Sequence, residues 1–436
     1  MSDNSQIFFK KKILIYGLGK SGLSSFHFLK SKNEVYLYDD DTNLKVSKSI
    51  KKRILSLKKL SKLKFDFIVI SPGINKSNCK LKGLLKKNYR NIYTDLDIFY
   101  SFNKNDCITI TGTNGKSTTC KLLYDILRDQ KIDVKLVGNI GIPILSIKKK
   151  LKKTIFVIEA SSYQLEYSKI FSSKYAAILN IAPDHLERHG NLRKYALAKF
   201  KLLKNQKEGS SGYINKNDYL TQLEIKRNKL RTNIKKINTK IKKKFLKKID
   251  NKYFDSKTNQ ANLSFVLEII KNFPIKKNIL LKSINEFKGL NYRQQTIYDK
   301  KKLIIINDSK STSYSSSEEL LKSYENISWL IGGIPKKNDK LNLSKKYYGN
   351  IQAYIFGENY KKFCNDLKNK IKFKKFHNLR DALKAILINI GINKNRRNTI
   401  LFSPASASFD LFENFEDRGL FFNKLIKKYI HAKKIF

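Results

Sequence analysis

TGTNGKSTT, residues 111–119, is the stretch that decides the fold, because it has the composition of a phosphate-binding turn. It follows the apolar run CITI, which predicts a short buried strand, and it precedes CKLLYDIL, whose apolar residues recur at helical spacing. The backbone N–H groups of such a strand-to-helix turn point toward an anion, and the helix N-terminus adds partial positive charge. Lys116 is placed to reach outer phosphates, and the hydroxyl of Ser117 is placed to bind Mg²⁺.

The loop departs from the strict pattern G-x-x-x-x-G-K-[ST], because Ile110 occupies the place of the first glycine. The local form is G-x-x-G-K-S, counted from Gly112. The alternative interpretation is a glycine-containing connection that carries a solvated lysine. The order strand, loop and helix favours phosphate binding, since the mechanism requires all three in that order.

The bulk composition is typical of a multidomain protein with ordinary cores. A length of 436 residues predicts two or three domains, and 41% of the residues are hydrophobic. No run of about 18 apolar residues occurs, so the sequence predicts no membrane span. The N-terminal segment lacks the pattern of a secretory signal, and the four cysteines lack metal-ligand spacing. Scattered cysteines are typical of reduced thiols, and we therefore expect a cytoplasmic protein.

The formal net charge of +54 raises the question of nucleic-acid binding. The lysines are spread along the whole chain and accompany many Asn and Ile residues, which is more typical of a biased base composition than of a binding patch. Neither zinc-finger spacing nor an aromatic RNA-recognition motif is present. We expect weak, salt-sensitive association with polyanions and no specific nucleic-acid partner.

Strand-like runs alternate with helical runs along the chain, which predicts an α/β protein of three domains. We place these domains at residues 1–102, 103–293 and 294–436. The first and third are expected to be Rossmann-like, and the second is expected to be an ATPase of the P-loop type. Residues 205–258 are polar and weakly patterned, and they indicate solvated loops with short strands.

The first domain carries a dinucleotide-type turn. KILIYGLGKSGLSSFHFL predicts strand, turn and helix, with G-x-G-x-x-G at Gly17, Gly19 and Gly22. VYLYDDD predicts a second strand that ends about 20 residues later in Asp39 and Asp40. FDFIVISPGI predicts a third strand before a Ser-Pro-Gly turn. This fingerprint does not identify the nucleotide, because similar turns bind many nucleotides.

Three further strand-like runs of the second domain end in polar residues. VKLVGNIGIP reaches Asn139, TIFVIEASSYQLE reaches Glu159, and YAAILNIAPDHLERHG reaches His185. Ligands of open α/β sheets bind beyond the carboxyl ends of the strands. We therefore expect these residues and Lys116 around one cleft, an arrangement typical of Mg²⁺ chemistry near phosphates. The alternative for His185 is a helix-capping or core histidine.

The third domain again alternates strands and helices, in KLIIINDSKST, ISWLIGGIPKKND, IQAYIFGE and NTILFSPASASFDLF. Polar groups follow these strand ends as well. A second α/β domain that faces the phosphate cleft predicts closure over a substrate.

A set of segments together gives the chain a family resemblance. They are GLGKSG (17–22), SPGI (71–74), TGTNGKST (111–118), GNIG (138–141), EASSYQLE (159–166), LNIAPDHLERHG (179–190), YALAK (195–199), NQAN (259–262), NDSKST (307–312), GG (332–333) followed by Lys336, and SPASASFDLFENFEDRG (403–419). Over nearly its whole length the chain resembles the Mur ligases, the ATP-dependent amide-forming enzymes of peptidoglycan synthesis. The last segment is typical of the branch that adds D-glutamate.

The resemblance implies that the chain adds D-glutamate to UDP-N-acetylmuramoyl-L-alanine with ATP, as a cytoplasmic monomer. The γ-phosphate would pass to the terminal carboxylate of the substrate, and the amine of D-glutamate would attack the resulting acyl phosphate. A carboxylate is a poor acylating agent, so phosphorylation supplies a leaving group. The protein would contribute positioning and charge neutralisation.

The resemblance also implies roles for individual residues. Catalysis is assigned to Lys116, His185 and Lys199. ATP binding is assigned to Gly112, Thr113, Asn114, Gly115, Lys116, Ser117, Thr118, Asn259, Asn262, Arg293 and Asp308. Binding of the UDP substrate is assigned to Gly19, Lys20, Ser21, Asp39, Asp40, Ser71, Gly73 and Asn139. D-Glutamate binding is assigned to Thr312, Lys336, Ser408 and Phe415, with Ser408 expected near the start of a helix, where it would alternatively be only an N-cap.

Two Mg²⁺ ions are implied, the first held by Ser117 and Glu159 and the second by His185. Lys199 matches the carbamylated lysine of the family. A desolvated lysine loses its proton more readily, its neutral amine adds CO₂, and the carbamate becomes an anionic Mg²⁺ ligand. Without the resemblance, an ordinary helix lysine is the simpler interpretation of Lys199.

Three positions depart from the family pattern. Thr258 replaces the histidine of H-N-x-x-N, Tyr292 replaces a histidine before the hinge arginine, and Ile334 replaces the acid of G-G-D-x-K. These departures concern contacts to adenine and to the amino acid. Two alternatives stay open: the related ligase that adds L-alanine to UDP-N-acetylmuramic acid, and a non-enzymatic basic nucleotide-binding protein.

Overall fold

A computed structural model describes residues 7–44, 46–147, 150–228, 230–300, 302–336, 339–392 and 396–431 of the chain. The chain divides into two compact units, Met1–Glu286 and Phe287–Phe436. Among the described residues, the first unit holds two β-sheets and the second holds one. Three α/β regions therefore follow one another along the chain, as the alternating sequence pattern predicts. The individual domain limits stay predictions.

The first sheet is built from parallel strands, which are β1 (Lys12–Tyr16), β2 (Glu34–Tyr38), β3 (Phe67–Ile70) and β4 (Ile92–Tyr93). Their spatial order is β2-β1-β3-β4. All residues of β1 after the first are buried, because helices cover both faces, and this explains its continuous apolar run. The helices of this region are α1 (Lys20–Leu29), α2 (Lys48–Lys51), α3 (Leu57–Leu60), α4 (Lys82–Lys87) and α5 (Asp95–Phe102).

The central sheet is also parallel and consists of β5 (Cys107–Thr111), β6 (Val134–Gly138), β7 (Ile155–Glu159), β8 (Tyr175–Ile178), β9 (Ser211–Asn215) and β10 (Asn233–Ile237). The spatial order is β10-β9-β8-β5-β7-β6. The four strands whose polar ends the sequence singles out are therefore neighbours, in the order β8-β5-β7-β6. This adjacency confirms that their carboxyl ends share one edge.

The helices of the central region are α6 (Lys116–Asp129), α7 (Ser162–Tyr167), α8 (Leu186–His189), α9 (Leu192–Lys204), α10 (Tyr219–Arg227), α11 (Lys243–Leu246), α12 (Lys257–Ile269) and α13 (Lys277–Glu286). The prediction of solvated structure for residues 205–258 is wrong for β9, whose three central residues are buried. Strand β9 packs beside β8, and a Cβ on Gly212 would lie 2.6 Å from Ile234. A short run with polar ends does not reveal such burial.

The third sheet contains β11 (Gln295–Lys300), β12 (Leu303–Asn307), β13 (Ile327–Gly332), β14 (Ile351–Phe356), β15 (Lys372–Phe376) and β16 (Asn398–Phe402), in the order β11-β12-β16-β13-β14-β15. Strand β11 is an antiparallel edge strand, and the other pairs are parallel. The helices are α14 (Tyr314–Ser323), α15 (Tyr360–Leu367), α16 (Leu379–Ile392) and α17 (Phe415–His431). Across the described ranges, we find no helix with both the length and the apolarity needed to cross a bilayer.

One apolar core joins the first and central sheets, which explains why they form a single compact unit. It includes Phe26 from α1, Phe99 from α5 and Phe156 from β7, and the rings of Phe99 and Phe156 lie 5.1 Å apart. The buried carboxylate of Asp97 adds polar contacts, because its Oδ1 accepts the N–H groups of residues 169–171 at 2.9 to 3.1 Å. Apolar and polar packing thus connect α5 to the central region.

Candidate active site

The turn after β5 requires glycine at Gly115. This residue has a φ of 84°, and a Cβ there would lie 2.1 Å from Asn262 Oδ1. Helix α6 begins at the next residue, Lys116, so the N–H groups of its first turn face the loop. The loop therefore forms the strand–turn–helix arrangement that phosphate binding requires.

Lys116 lies over this loop in a half-buried position. Its Nζ donates to the carbonyl oxygens of Gly112 and Thr113, both at 2.7 Å. On the other side, Asn180 holds the loop, because its O accepts the N–H of Thr113 and its Oδ1 accepts the N–H of Asn114, both at 2.9 Å. The ammonium group is thus fixed at the loop and is not the solvated lysine of the alternative interpretation.

Two oxygen side chains beside the loop have the chemistry of Mg²⁺ ligands. Ser117 is 2% exposed, and its Oγ has no hydrogen-bond partner among the residues that the structure describes. Glu159 is buried and pairs with Ile110 in the β5–β7 register, which brings it to the start of the loop. Its Oε1 accepts from Asn139 Nδ2 at 2.8 Å, so Asn139 lies at the central sheet. Buried oxygen donors fit a hard cation.

Lys199 projects from α9 to the same loop and is 1% exposed. Its Nζ donates to Gly112 O at 2.8 Å and lies 4.6 Å from the centre of the Tyr195 ring. Gly112 O thus accepts from both Lys116 and Lys199. Two ammonium groups at one carbonyl repel each other, so the arrangement favours an added anion or a change that removes one charge. The buried position of Lys199 differs from that of an ordinary solvated helix lysine.

His185 lies at the N-terminal end of α8 in the left-handed backbone conformation, with φ of 52°. Its side chain makes no capping hydrogen bond, which argues against the helix-cap alternative. Nδ1 lies 2.7 Å from Tyr163 Oη, and Nε2 lies 3.3 Å from Asp184 Oδ2. Burial raises the pKa of Tyr163 well above its ordinary value, so this hydroxyl keeps its proton and can hydrogen-bond to either tautomer of His185.

Sequence reasoning missed the rings that surround His185. Tyr195 Oη lies 3.1 Å from Thr113 Oγ1 and connects α9 to the loop. His189 Nε2 lies 3.1 Å from Ser162 Oγ, and the His189 ring lies 5.3 Å from the Tyr195 ring. Burial lowers the pKa of His189 to about 4, so this imidazole is neutral near pH 7. Their only signal was membership of the quoted segments LNIAPDHLERHG and YALAK.

The turn after β1 is closed by contacts that leave no space for a side chain. A Cβ on Gly22 would lie 1.8 Å from Gly17 O, and Gly17 has a φ of 92°. Ser71 Oγ donates to Gly17 O at 2.6 Å, which connects the turns after β1 and β3. The N–H of Leu18 donates to Asp39 Oδ2 at 2.5 Å. Residues assigned to the UDP substrate therefore meet at the carboxyl ends of these strands.

The two aspartates after β2 differ in their contacts. Both oxygens of Asp39 accept backbone N–H groups, so this carboxylate stabilises the turn. Asp40 Oδ2 accepts from Tyr16 Oη at 2.7 Å, whereas Asp40 Oδ1 is buried with no hydrogen-bond partner among the described residues. Gly19 and Lys20 are exposed at the start of α1. Asp40 is thus the better placed of the two aspartates to contact a ligand.

Asn259 and Asn262 are buried on α12, one turn apart. Asn262 abuts Gly115, and Asn259 Nδ2 donates to Tyr253 O at 2.8 Å. Tyr253 Oη lies 3.4 Å from Thr118 Oγ1, in the first turn of α6. The N-terminal part of α12 therefore closes one side of the loop. The structure brings both asparagines to this loop, and their contacts with adenine stay a prediction.

In the second unit, Asp308 lies just after β12 as a buried carboxylate. Its Oδ2 accepts from Ser403 Oγ at 2.9 Å, and its Oδ1 accepts the N–H of Gln294 at 3.1 Å. Burial raises the pKa of Asp308 to about 6, although these hydrogen bonds and the charge of Arg293 lower it. The Arg293 guanidinium lies 5.4 Å from the centre of the Phe415 ring. These predicted residues are therefore close together within this unit.

Three neighbouring strand ends, in the order β12-β16-β13, carry most of the residues predicted for D-glutamate. An isolated bridge joins Ile334 to Ala407, so Lys336 and Ser408 follow shortly after the same pair. Thr312 follows the neighbouring β12. The structure thus places the ends of these segments at one edge of the sheet.

The expectation that Ser408 lies at the start of a helix is wrong. Ser408 is buried at the beginning of a turn, where its carbonyl accepts two backbone N–H groups, and α17 begins only at Phe415. The capping side chain is Asn414, whose Oδ1 accepts the N–H of Asp417 at 2.8 Å. The turn separates β16 from α17, so Ser408 is not an N-cap.

Arg418 was not singled out from the sequence, yet it is 1% exposed. Its Nε donates to Ser309 Oγ at 3.1 Å, and its Nη2 donates to Ser309 O at 2.7 Å and Ser406 O at 3.0 Å. Burial lowers the pKa of Arg418 to about 10, so the guanidinium stays charged near pH 7. It stabilises the loops after β12 and β16. Its burial depends on these distant loops, and its only signal in the sequence was membership of the quoted segment 403–419.

Within the described ranges, no group of three or more His, Cys, Asp and Glu side chains is arranged to hold a metal ion.

Two family models match the chain. Residues 110–280 match the Mur ligase middle domain, and residues 11–92 match the Mur ligase MurD-like N-terminal domain.

Curated relatives match over nearly the full length. The chain is 34% identical to a protein of Rickettsia felis named UDP-N-acetylmuramoylalanine–D-glutamate ligase, over 98% of each chain. It is 33% identical to a protein of the same name from Buchnera aphidicola subsp. Baizongia pistaciae, over 97% of this chain and 98% of the relative.

Two solved structures share the fold at lower identity. UDP-N-acetylmuramate–alanine ligase of Thermotoga maritima has a TM-score of 0.53 and 17% identity, covering 97% of this chain and 100% of its own. The MurF ligase of Thermotoga maritima in complex with ADP has a TM-score of 0.56 and 15% identity, covering 98% and 97%. At these identities the two structures support the fold alone.

Proposed function

The chain belongs to the Mur ligase family, and we propose that it joins D-glutamate to UDP-N-acetylmuramoyl-L-alanine with cleavage of ATP. The names of full-length relatives support this specificity, and so does the segment SPASASFDLFENFEDRG at residues 403–419. The product is a cytoplasmic precursor of peptidoglycan, and we propose that the chain acts as a monomer.

The reaction forms one amide bond and cleaves one phosphoanhydride bond. The terminal carboxylate of the UDP substrate attacks the γ-phosphorus of ATP, and ADP leaves. The amine of D-glutamate then attacks the acyl carbon, and the tetrahedral intermediate releases phosphate and a proton. The enzyme contributes orientation of the reactants and stabilisation of negative charge on the transferred phosphoryl group.

The convergence of Lys116 and Lys199 on the carbonyl of Gly112 is the observation that carries this proposal. Both amines lie beside the N-terminus of α6, where the first-turn N–H groups point to the loop. In this arrangement the ammonium group of Lys116 neutralises phosphate oxygens in the ground state and during transfer, and Lys199 brings a second nitrogen to the same loop. It is the chemistry that activation of a carboxylate by ATP requires.

The donors beside the loop fit Mg²⁺, because Ser117 Oγ is a buried oxygen without a hydrogen-bond partner among the described residues. We propose that Ser117 and Glu159 hold one ion, and that His185 and a carbamate on Lys199 hold a second. When bound, Mg²⁺ neutralises phosphate charge, and it commonly keeps several waters as further ligands. The carbamate forms when the neutral amine of Lys199 attacks CO₂ and loses one proton.

The remaining ligand contacts are proposals from the family pattern, supported by where the structure places the residues. We assign adenine to Asn259 and Asn262, and the ribose and phosphates to Asp308 and Arg293. We assign the UDP end of the substrate to the turns after β1, β2 and β3. We assign D-glutamate to Thr312, Lys336, Ser408 and Phe415.

The decisive experiment pairs two UDP sugars with two amino acids. The chain is incubated with ATP, MgCl₂, either UDP-N-acetylmuramic acid or UDP-N-acetylmuramoyl-L-alanine, and either L-alanine or D-glutamate. Phosphate release and product mass are measured for each pair. We expect release, and a product heavier by one glutamate residue, only with the second sugar and D-glutamate. A product with L-alanine would assign the chain to the related ligase, and nucleotide binding without release in any pair would favour a non-enzymatic role.

A further inference from the structure

Arg188, on α8, carries a buried cation that the reaction described above does not use. Its side chain is 6% exposed, although arginine is rarely buried to this extent. Removing a guanidinium from water is unfavourable unless several partners offset the lost hydration. The partners of Arg188 fall into two sets, one toward the turn after β3 and one toward His185.

The first set attaches Arg188 to the turn that follows β3. Nη1 donates to Gly73 O at 3.4 Å, and Nη2 donates to Tyr167 Oη at 3.1 Å. Tyr167 Oη also accepts the backbone N–H of Lys76 at 3.3 Å. Nε pairs with Glu166 Oε2 at 3.4 Å. The segment around Gly73 is thus connected to α7 through Arg188 and Tyr167.

The second set connects Arg188 to His185. The guanidinium carbon lies 4.5 Å from the centre of the Tyr163 ring, and Tyr163 Oη lies 2.7 Å from His185 Nδ1. A cation over the ring is attracted to its negative face, which holds the ring in one orientation. The hydrogen bond made by one nitrogen of an imidazole fixes the ring orientation and determines whether the other nitrogen presents a hydrogen atom or a lone pair to a ligand.

We propose that Arg188 is a positioning residue that couples the turn holding the UDP substrate to the orientation of His185. The proposal rests on the proposed function, because that function assigns Gly73 to the UDP substrate and His185 to catalysis. Substrate bound at the turn restrains Gly73, and Gly73 restrains the guanidinium of Arg188. The guanidinium in turn holds Tyr163 where its hydroxyl lies 2.7 Å from His185 Nδ1. From Gly73 to His185, each link in this series is a contact in the structure.

Two substitutions separate the links. Arg188→Met keeps the aliphatic bulk and removes both the charge and the donors, whereas Tyr163→Phe removes only the hydroxyl. We expect Arg188→Met to raise the Kd for UDP-N-acetylmuramoyl-L-alanine about tenfold, measured by calorimetry without ATP, and to lower kcat by about 10- to 100-fold. Tyr163→Phe should lower kcat and leave that Kd unchanged. The KM for ATP should stay within about twofold in both variants.

The double variant tests whether Arg188 acts through Tyr163. If it does, Tyr163→Phe should cause no further loss of kcat in the Arg188→Met background, so the two effects are not additive. Arg193→Met, at an exposed arginine on α9, is the matched control and should change none of these constants. Additive losses of kcat, or a lower melting temperature with unchanged Kd and kcat in Arg188→Met, would overturn the proposal.

Ring ¹⁵N spectra of the protein without substrates provide a readout that does not depend on turnover. The His185 signals, assigned by comparison with His185→Ala, should shift in both single variants and stay unchanged in Arg193→Met. If the wild-type protein catalyses ligation but Arg188→Met leaves the His185 signals unchanged, the positioning role of Arg188 is refuted and the proposed function is not. Absence of ligation by the wild-type protein with every substrate pair refutes the proposed function, while the spectra still decide the Arg188–Tyr163–His185 link.

Discussion

Replacing Asp97 with alanine should destabilise the first compact unit by about 4 kcal/mol or more. Asp97 is fully buried, and its Oδ1 accepts three consecutive N–H groups, from residues 169–171. Its Oδ2 accepts the N–H of Thr94 at 2.9 Å. Without the carboxylate, these four N–H groups lose their acceptor, and each loss costs about 1 to 3 kcal/mol. The lower value applies to Lys169 and Ile170, which are partly accessible to water, and its use for all four groups gives a minimum of about 4 kcal/mol.

Asp97→Asn should cost less than Asp97→Ala, since the amide oxygen can still accept the N–H groups of residues 169–171. Its NH₂ group would face the N–H of Thr94, so we expect an intermediate loss of about 2 kcal/mol. The matched control is Asp66→Asn, because exposed Asp66 accepts only the N–H of Lys12 among the described contacts, at 2.8 Å. The control should change stability by no more than about 0.5 kcal/mol.

Thermal and urea unfolding, followed by circular dichroism, measure these differences. For a unit of this size, about 1 kcal/mol corresponds to a Tm change of about 2–4 °C, so Asp97→Ala should lower Tm by about 8–16 °C. Wild type and Asp66→Asn should be the most stable and nearly equal, Asp97→Asn should be less stable, and Asp97→Ala should be the least stable. A Tm for Asp97→Ala within about 2 °C of wild type would refute the claim that these N–H groups depend on Asp97.

Four further substitutions test the proposed site. Lys116→Ala should abolish phosphate release with little change in Tm, because its side chain supplies charge to the loop; near-normal turnover would contradict phosphate binding. Lys199→Ala should be nearly inactive and partly restored by acetate, since an added anion can replace a carbamate, whereas full activity would indicate a packing role. Ser408→Ala should raise the KM for D-glutamate several-fold at unchanged KM for ATP and unchanged Tm; an unaltered KM would remove Ser408 from the site. Asp308→Asn should raise the Tm of the second unit at pH 7.5 and have less effect at pH 5; a Tm difference independent of pH would contradict the raised pKa of Asp308.

Local pattern was sufficient for the order of elements and for the four adjacent strand ends of the central sheet. The strands β5, β7 and β8 are buried on both faces, so each appears as a short continuous apolar run. Parallel strands also place their carboxyl ends at one edge, which is why the polar residues after them could be grouped in advance. The pattern failed at Ser408, because a turn and a helix N-terminus use similar polar residues.

Contacts between distant elements were not predictable in the same way. Asp97 is one of 36 acidic residues, and Arg188 and Arg418, among 90 lysines and arginines, are distinguished in the sequence only by membership of the segments 179–190 and 403–419. Their burial arises from elements far along the sequence, such as residues 169–171 for Asp97 and Ser309 for Arg418. Whether a charged residue is exposed or buried therefore follows from tertiary packing, which composition and periodicity do not report.

The presence of an ionisable carboxylate at position 308 is not explained by the stability of the folded protein. Its pKa in the folded state is raised from 3.8 to about 6, so the stability associated with its protonated form is complete below about pH 4 and is lost as the pH rises through 6. At pH 7 the shift of about 2 units corresponds to about 3 kcal/mol against the folded state. Asparagine could accept the N–H of Gln294 and donate to Ser403 Oγ, so the local hydrogen bonds do not require a carboxylate. A buried charge that disfavours folding is characteristic of a functional site. We therefore attribute the carboxylate at position 308 to binding of the proposed ligand, since stability does not account for it.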